Sequence, residues 1–363
     1  MLKFIHAADF HLDSAFGALS PQQAAARRRE SRELVVQLSN YVNRTGAQVV
    51  LLAGDLFDSA SAFRETKEQL AQALGQMEAQ VFIAPGNHDW YGPSWQTVTW
   101  PENVHIFRTA ALEAVELPAW NVTVHGAAFT GTEQARGFLT GFTAPEDGRV
   151  HIGVLHGEID PAERRYGPIG RDEAAESGLA YLALGHIHKR TEPLRFGKTL
   201  CAWPGCLEGR GFDELGEKGF YEGVIADDGA VSVTFVPFAR RRYEVLQVDV
   251  TGKSPRAAIE EVLPAETARH LYRILLTGET GESGVDTAAL QEALADRFFA
   301  LELRDHTRIA EDIWARAAED SLRGEFLREL RGRWQAAATE EERETITRAV
   351  RFGLAALDHR DLV

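Results

Sequence analysis

The sequence predicts an α/β fold over residues 1–240, followed by a small α+β module at 241–305 and a helical tail at 306–363. Short apolar, β-branched runs recur through the first part, and amphipathic helical patterns lie between the early runs. Strands that alternate with helices are typical of α/β domains. The pattern changes near Arg240, and a chain of 363 residues is long enough to form two or three domains.

Six apolar runs predict buried strands in the first part of the chain. They are residues 4–8, 49–53, 81–84, 122–124, 152–155 and 181–184. A helix is predicted over 21–45, because apolar residues recur there at helical spacing and Gly46 is suited to end it. A second helix is predicted over 63–77, and residues 219–236 predict a hairpin that turns at 227–229.

The module at 241–305 is predicted to have the order β-α-β-α-β. Its strands are expected at 243–250, 271–276 and 298–303, and its helices at 255–262 and from Asp286. Two apolar stripes predict two helices in the tail. The stripes are Phe326, Leu327, Leu330 and Trp334, then Ile346, Val350, Leu354 and Leu357. Thr339 and Glu342 are spaced as a capping box for the second of these helices.

The composition predicts a soluble, cytoplasmic protein. Hydrophobic residues make up 44% and charged residues 26%, and no uncharged apolar run approaches the ~20 residues of a membrane span. The first residues show neither a signal core nor a cleavage site. A net charge of −15 argues against a protein that coats nucleic acid through its overall electrostatic field. It does not exclude local contacts with phosphate groups. Cys201 and Cys206 are too few for a disulfide framework, and we expect buried thiols.

Side chains that can bind a metal follow directly after five of the predicted strands. They are Asp9 and His11, Asp55, then Asn87, His88 and Asp89, then His156, then His186 and His188. Ligands of open α/β sheets collect at the carboxyl ends of the strands, so we expect these groups to meet at one edge. Taken singly, each of these residue groups is what an ordinary turn or strand end contains. Their joint occurrence predicts a metal site.

The residue types suit a pair of divalent cations. Such a pair needs a carboxylate that can bridge the ions, and Asp55 suits that position. With Asp9 as the other carboxylate, two dications would keep an excess of positive charge that attracts a phosphodiester. Glycines beside Asp55, Asn87 and His186 would allow tight turns and a close approach of the backbone.

The order of these motifs resembles the calcineurin-like metallophosphoesterase superfamily. The matching motifs are Asp9-Phe10-His11, Gly54-Asp55-Leu56-Phe57-Asp58, Gly86-Asn87-His88-Asp89, His156-Gly157 and Gly185-His186-Ile187-His188. Within the superfamily, residues 8–14 and 53–58 look most like the SbcD- and YhaO-type DNA repair exonucleases. The resemblance implies a β-sandwich flanked by helices at 1–240, a capping module at 241–305 and a C-terminal helical segment at 306–363.

Carried over by position, the resemblance implies two metal ions, with Mn²⁺ as the expected ion. Asp9, His11, Asp55 and His188 would bind one ion, and Asp55, Asn87, His156 and His186 the other. His88 would be the catalytic histidine that assists while metal-bound hydroxide attacks the phosphodiester. Asp89 would orient His88. Some relatives carry a histidine at the position of Asp58, so Asp58 receives only a supporting role.

The expected function is that of a DNA exonuclease or endonuclease in DNA repair. Lys189 and Arg190 follow the last motif and are candidates for contacting DNA phosphate. The resemblance also implies an ATPase partner of the SbcC or YhaN type, docked by the terminal helices, and a homodimer as one form of assembly. Two alternatives stay open: a phosphoesterase acting on nucleotides or other small phosphoesters, and a non-catalytic scaffold that binds DNA or an ATPase.

Several other residues receive simpler interpretations. His6 and His151 are expected to be structural. For His125 two interpretations stay open: it forms a hydrogen bond at the end of its strand, or it supports the metal ligands from outside without binding an ion. The basic runs at 27–29 and 240–242 are interpreted as a solvated helix face or a domain boundary, with phosphate contacts as the alternative.

Overall fold

The computed structural model describes residues 1–281, 283–309, 314 and 316–357. The chain folds into two compact units, Met1–Arg242 and Tyr243–Val363. The division of the second part at residue 305 stays a prediction. Across the described ranges, no helix is both long enough and apolar enough to cross a membrane.

The first unit contains two six-stranded sheets. The first sheet has the order β14-β13-β1-β2-β3-β4, with β14 Val231–Pro237, β13 Gly219–Ile225, β1 Leu2–Ala7, β2 Val49–Leu52, β3 Gln80–Ile83 and β4 Val104–Ile106. The second has the order β11-β12-β10-β7-β6-β5, with β11 Leu194–Phe196, β12 Thr199–Ala202, β10 Tyr181–Gly185, β7 Val150–His156, β6 Val122–Gly126 and β5 Glu113–Leu117. A short parallel pair, β8 Glu158–Ile159 and β9 Pro168–Ile169, follows β7. Strands β1, β2 and β3 pair in parallel, as do β7 and β10, so each set of strand ends lies along one edge.

The two sheets pack face to face. Phe4, Leu51 and Phe82 of the first sheet share one buried cluster with Val124 and Val154 of the second. Successive side chains of a strand point to opposite faces, so alternate residues of β1 serve two different cores. A buried phenylalanine such as Phe4 contributes about 2 to 3 kcal/mol to stability by leaving water.

Helices cover the outer faces of this sandwich. Ile5 and Val50 form a cluster with Leu38 of α1 (Pro21–Thr45) and Leu74 of α2 (Arg64–Gly75). The short α3 (Arg171–Glu176) contributes to a third cluster on the outer face of the second sheet. The sandwich flanked by helices that the resemblance implied is therefore confirmed.

The second unit begins with three parallel strands, in the order β15-β16-β18. These are β15 Tyr243–Asp249, β16 Leu271–Thr277 and β18 Ala300–Asp305, connected through α4 Pro255–Val262 and α5 Thr287–Leu294. The predicted order β-α-β-α-β is confirmed. The short strands β17 Glu279–Thr280 and β19 Arg308–Ile309 also pair. Helices α6 Leu322–Ala336 and α7 Glu340–Leu357 follow.

Several element boundaries differ from the sequence predictions. The first helix runs over the predicted 21–45 and ends at Gly46, whose φ of 65° is left-handed. The second is shorter than predicted, because it ends at Gly75, and the last strand of the module starts at Ala300 rather than 298. Before the tail helix α7, the N–H of Glu342 donates to Thr339 Oγ1 at 3.2 Å, as the capping box predicts. Strands β4, β5, β8, β9, β11, β12, β17 and β19 and helix α3 were not predicted from the sequence.

Candidate metal centre

The strand ends of both sheets bring the candidate ligands together. Asp9 follows β1 and Asp55 follows β2, whereas His156 ends β7 and His186 follows β10. The backbone N–H of His186 donates to Asp9 Oδ1 at 3.0 Å. His156 Nε2 lies 3.4 Å from Asp55 Oδ2. The two sheets therefore meet at one cluster of acids and imidazoles, and two carboxylates of the first sheet face two histidines of the second.

One group of four side chains could hold a single cation. Asp9, His11, Asp55 and His188 each offer one ligand atom, and these atoms all lie within 4.8 Å of one another. The Nε2 atoms of His11 and His188 are only 3.0 Å apart. His11 Nε2 also lies 3.8 Å from Asp55 Oδ2. This is the set that the resemblance assigns to the first ion.

The remaining candidates surround the other side of Asp55. The Nδ1–H of His156 donates to the carbonyl oxygen of Ala53 at 2.9 Å, which leaves Nε2 as the electron-pair donor of the neutral ring. That Nε2 lies 3.0 Å from Asn87 Oδ1. The ring of His186 is 5.2 Å from the ring of His156. An imidazole nitrogen and an amide oxygen that face each other in this way are suited to share a cation.

The backbone of the site is strained at four of these positions. Asp9, His11, Asp55 and His186 have φ values of 54°, 44°, 51° and 92°, respectively. Residues with a side chain rarely adopt positive φ, and each instance costs of the order of 1 kcal/mol or more. Strain of this kind concentrates at functional sites, because the surrounding structure must hold it.

Two glycines allow the backbone to approach the histidines. Gly54 has a φ of 86°, and a Cβ there would lie 2.7 Å from His156 Nδ1. A Cβ on Gly185 would lie 1.9 Å from the carbonyl oxygen of Ala53. The expectation that glycines permit close packing around the ligands is confirmed at these two positions.

The electrostatics of the cluster fit a divalent cation. Asp9 and Asp55 are buried, and Asp9 Oδ2 has no hydrogen-bond partner among the described residues. Burial raises the pKa of Asp9. Burial alone would lower the pKa of His156, but the charges of Asp55 and Asp9 outweigh it and raise that pKa to about 9. The negative charge of the two carboxylates thus favours a proton on His156, and a bound cation would be favoured for the same reason. The mixture of carboxylate, amide and imidazole ligands suits a first-row divalent metal.

His88 lies at the exposed rim of the cluster. Its backbone N–H donates to Asp55 Oδ1 at 2.9 Å. Its Nδ1 lies 3.0 Å from the carbonyl oxygen of Asp58, so Nδ1–H donates there and Nε2 is the atom available to a substrate. His11, Asp58 and His88 form a second group of ligand atoms within 4.8 Å of one another.

Asp89 makes contacts that differ from the predicted one. Its Oδ1 accepts from the backbone N–H groups of Gly86 at 2.7 Å and Asp55 at 3.2 Å, and its Oδ2 from those of Leu56 at 2.7 Å and Phe57 at 3.3 Å. The ring of His88 is held by Asp58 instead. The expected orientation of His88 by Asp89 is therefore corrected: the buried carboxylate joins two turns of the site through their amides.

Two residues at the outer side of the site were missed in the sequence. Glu214 Oε1 accepts from His188 Nδ1 at 2.8 Å, and Arg210 binds both Glu214 and the carboxylate of Asp58. Burial alone would raise the pKa of Glu214, but the hydrogen bonds from His188 and Arg210 outweigh it and lower that pKa. Both residues lie in an irregular segment after β12, where no periodic pattern marks them. The ligand-type carboxylate of Glu214 was the only available signal.

The remaining candidates do not belong to either group of ligand atoms. Lys189 and Arg190 are exposed, and the Arg190 guanidinium lies 4.5 Å from the centre of the Phe235 ring. His125 Nε2 lies 2.9 Å from His151 Nδ1, which supports the strand-end interpretation. Cys206 is buried, and burial raises the pKa of its thiol.

One arginine in each basic run forms a buried or mostly buried ion pair. Arg27 is fully buried between Glu30 at 3.2 Å and Glu208 at 2.9 Å, so the prediction of a solvated helix face is wrong for Arg27. Arg241 binds the same Glu30 at 2.6 Å.

Comparisons with known proteins identify the family. Residues 2–190, more than half of the chain, match the family model described as Calcineurin-like phosphoesterase. The chain is also 34% identical over 275 residues to the uncharacterized metallophosphoesterase YhaO of Bacillus subtilis (strain 168). That alignment covers 72% of this chain and 66% of the relative, just under two thirds of the relative's length. The chain therefore belongs to the calcineurin-like phosphoesterase family of metal-dependent phosphoesterases.

Proposed function

We propose that this protein is a two-metal phosphodiesterase that cleaves DNA, with Mn²⁺ as its ion. The observation that carries the proposal is the convergence of Asp9, His11, Asp55 and His188 within 4.8 Å, beside the exposed His88, which lies outside this group. A second set of donors on the far side of Asp55 supports a second ion. The resemblance of residues 8–14 and 53–58 to DNA exonucleases favours DNA as the substrate.

The ligand assignment follows the two groups. Asp9, His11, Asp55 and His188 would hold one ion, and Asp55, Asn87, His156 and His186 the other. When bound, two divalent cations supply Lewis acidity toward a phosphate ester and lower the pKa of a nearby water. The chain itself contributes a rigid frame, because Asp9, Asp55 and His156 are buried and lie at or just after the ends of paired strands.

His88 is the residue proposed to act on the leaving group. Its Nδ1–H is occupied by the carbonyl oxygen of Asp58, so Nε2 is the atom that would hold a proton for the departing oxygen. Its backbone N–H also donates to Asp55. The ring position is thereby tied to the carboxylate proposed to lie between the ions.

The other parts of the proposal concern DNA and partner proteins. Lys189 and Arg190 are proposed to contact phosphates of the DNA backbone. The module at 241–305 would guide DNA ends, and the helices of the tail would dock an ATPase of the SbcC or YhaN type. A homodimer and a cytoplasmic location complete the proposal. These parts rest on the resemblance.

A cleavage assay tests the proposal. Purified protein is incubated with end-labelled duplex DNA and Mn²⁺, with and without the ATPase, and in parallel with EDTA. We expect cleavage that EDTA abolishes and that the Asp55→Asn variant lacks. Absence of EDTA-sensitive cleavage under both conditions would overturn the proposed nuclease activity.

A substrate panel separates DNA cleavage from the small-molecule alternative. It compares a bis-aryl phosphodiester, cyclic nucleotides, phosphomonoesters and DNA at equal Mn²⁺. We expect kcat/KM to be higher for diesters than for monoesters. A strong preference for monoesters would instead assign the site to small phosphoesters.

A further inference from the structure

Arg210 joins the two carboxylates that hold two of the candidate ligands from outside. Its Nη1 donates to Asp58 Oδ1 at 3.0 Å, and its Nη2 donates to Glu214 Oε1 at 2.8 Å. Asp58 Oδ1 in turn lies 3.2 Å from His11 Nδ1, and Glu214 Oε1 lies 2.8 Å from His188 Nδ1. One guanidinium thus connects the outer hydrogen bonds of both imidazoles.

These outer hydrogen bonds determine which nitrogen each ring presents to the site. Both rings face a carboxylate with Nδ1, which places the proton on Nδ1 and the electron pair on Nε2. The two Nε2 atoms lie 3.0 Å apart, and both residues belong to the group of ligands that includes Asp9 and Asp55. With both protons on Nδ1, the two facing Nε2 atoms carry only electron pairs and cannot form a hydrogen bond with each other. A cation between them would accept both electron pairs.

The protons around His188 can be assigned from the same contacts. Arg210 Nη2 also lies 3.1 Å from His188 Nδ1, but a nitrogen that donates to Glu214 cannot accept from arginine at the same time. We therefore take Glu214 as the acceptor for His188 and Arg210 as the donor to Glu214.

The arrangement is built into the fold rather than lying on the surface. The Glu214 side chain is 4% exposed, and Glu214 Oε2 accepts from the backbone N–H of Arg210 at 2.7 Å. Lys218 is buried as well, and its Nζ donates to the carbonyl oxygen of His188 at 3.0 Å. The segment that carries Arg210 and Glu214 is thus attached to His188 through both side chain and backbone.

We propose that Glu214 and Arg210 are positioning residues. Glu214 holds His188 directly, and Arg210 supports Glu214 and, through Asp58, His11, so that Nε2 of both rings is turned toward the first cation. The inference rests on the proposed two-metal site and deepens it by naming what orients two of its ligands. Outer partners of metal-binding histidines commonly change metal affinity by about 10- to 100-fold when they are removed.

The test is a Mn²⁺ titration of EDTA-stripped protein, in which free Mn²⁺ is followed by electron paramagnetic resonance. For the wild type we expect two binding events per chain. In Glu214→Ala we expect one of them to weaken by about 10- to 100-fold while the other stays within about twofold. Glu214→Gln, which keeps an acceptor oxygen, should lose less than Glu214→Ala. The matched control is Glu217→Ala, which removes an exposed carboxylate that pairs with Arg242.

A second measurement reads the imidazole tautomers without any metal. Protein with ¹⁵N-labelled histidine is stripped with EDTA, and the ring nitrogen shifts of His11 and His188 are assigned by substitution. The wild type should show the Nδ1–H form for both rings. Glu214→Ala should convert His188 to a mixture of tautomers, and Arg210→Lys should perturb both rings, because lysine cannot bridge two carboxylates as guanidinium does.

The outcomes separate this inference from the proposed function. If the wild type binds no Mn²⁺, the two-metal proposal itself fails. If the wild type binds two ions and Glu214→Ala leaves both affinities and the tautomers unchanged, only the positioning roles are overturned. If Glu214→Ala does not fold, as judged by circular dichroism in EDTA, Glu214→Gln and Arg210→Lys decide the same question.

Discussion

The carboxylate of Asp89 accepts a hydrogen bond from the backbone N–H of Asp55 at 3.2 Å. The residue after His88 therefore fixes the turn that carries the central carboxylate of the site. Three further amides, those of Gly86, Leu56 and Phe57, donate to the same side chain. The motif at residues 86–89 thus supplies both His88 at the rim of the site and Asp89, which supports the turn after β2.

The first prediction concerns that support. Asp89→Ala leaves four backbone donors without their acceptor, and each buried donor without a partner costs about 1 to 3 kcal/mol. We expect the free energy of unfolding to fall by about 3 kcal/mol or more, measured by urea denaturation in EDTA. Asp172→Ala, an exposed aspartate on α3, is the control and should change stability by less than about 0.5 kcal/mol. Equal effects of the two substitutions would contradict this role of Asp89.

The second prediction concerns His88. The described contacts of His88 leave its Nε2 available, and His88 does not belong to the first ligand group. The His88→Ala variant should therefore keep metal binding and lose turnover. We expect kcat on a bis-aryl phosphodiester to fall by at least about 10²-fold, a size typical of a general acid. Mn²⁺ titration of the same variant should match that of the wild type. Full activity in the variant would refute the assigned role.

The third prediction concerns metal removal. Asp55 contacts both ligand groups, since its Oδ2 lies 3.4 Å from His156 Nε2 and 3.8 Å from His11 Nε2. Saturating Mn²⁺ should raise Tm, because a ligand at 100 times its Kd stabilises the folded state by about 2.7 kcal/mol per site. EDTA should reverse the shift, and Asp55→Asn should lose most of it in differential scanning calorimetry. An unchanged shift in Asp55→Asn would rule out its central position.

The fourth prediction concerns stability at acidic pH. Burial, assisted by the charge of the neighbouring His151 and opposed by Asp147, lowers the pKa of His125 from an ordinary value of 6.5 to about 4. Between these two values the unfolded chain binds the proton more readily, so stability rises with pH across this window and is lost as pH falls. Urea unfolding in EDTA should show this slope.

The His125→Gln variant isolates that contribution. Removing the buried imidazole should make the loss of stability between pH 6.5 and 4 less steep than in the wild type. The buried His6, whose pKa burial lowers to about 3, keeps its own share of the slope in both proteins. His306→Gln, at an exposed side chain, serves as control. Identical slopes in all three proteins would exclude His125 as a source.

Local patterns predicted the parts of the fold whose signals are contained in a few consecutive residues. The helix at 21–45 agrees with its prediction because apolar spacing, the Ser20 cap and Gly46 all act within the segment itself. Strand β5 was missed because it lies at a sheet edge with three of its five residues exposed, and its glutamates interrupt the apolar run that would mark a strand. Its hydrogen-bonded partner is β6, the next strand along the chain, so pairing with β6 rather than an apolar run of its own specifies this strand.

By itself, the sequence determined the candidate ligands, since each follows an apolar strand and strand ends of parallel sheets meet at one edge. Only the tertiary structure decided how those ligands are supported. Asp89 turned out to hold amides rather than His88, and Arg210 and Glu214 came to the site from a segment with no periodic pattern. The physical reason is that ligand identity is a property of single side chains after a strand. Orientation depends instead on hydrogen bonds between residues far apart in the chain, such as Asp58 with Arg210, which exist only once both sheets have packed.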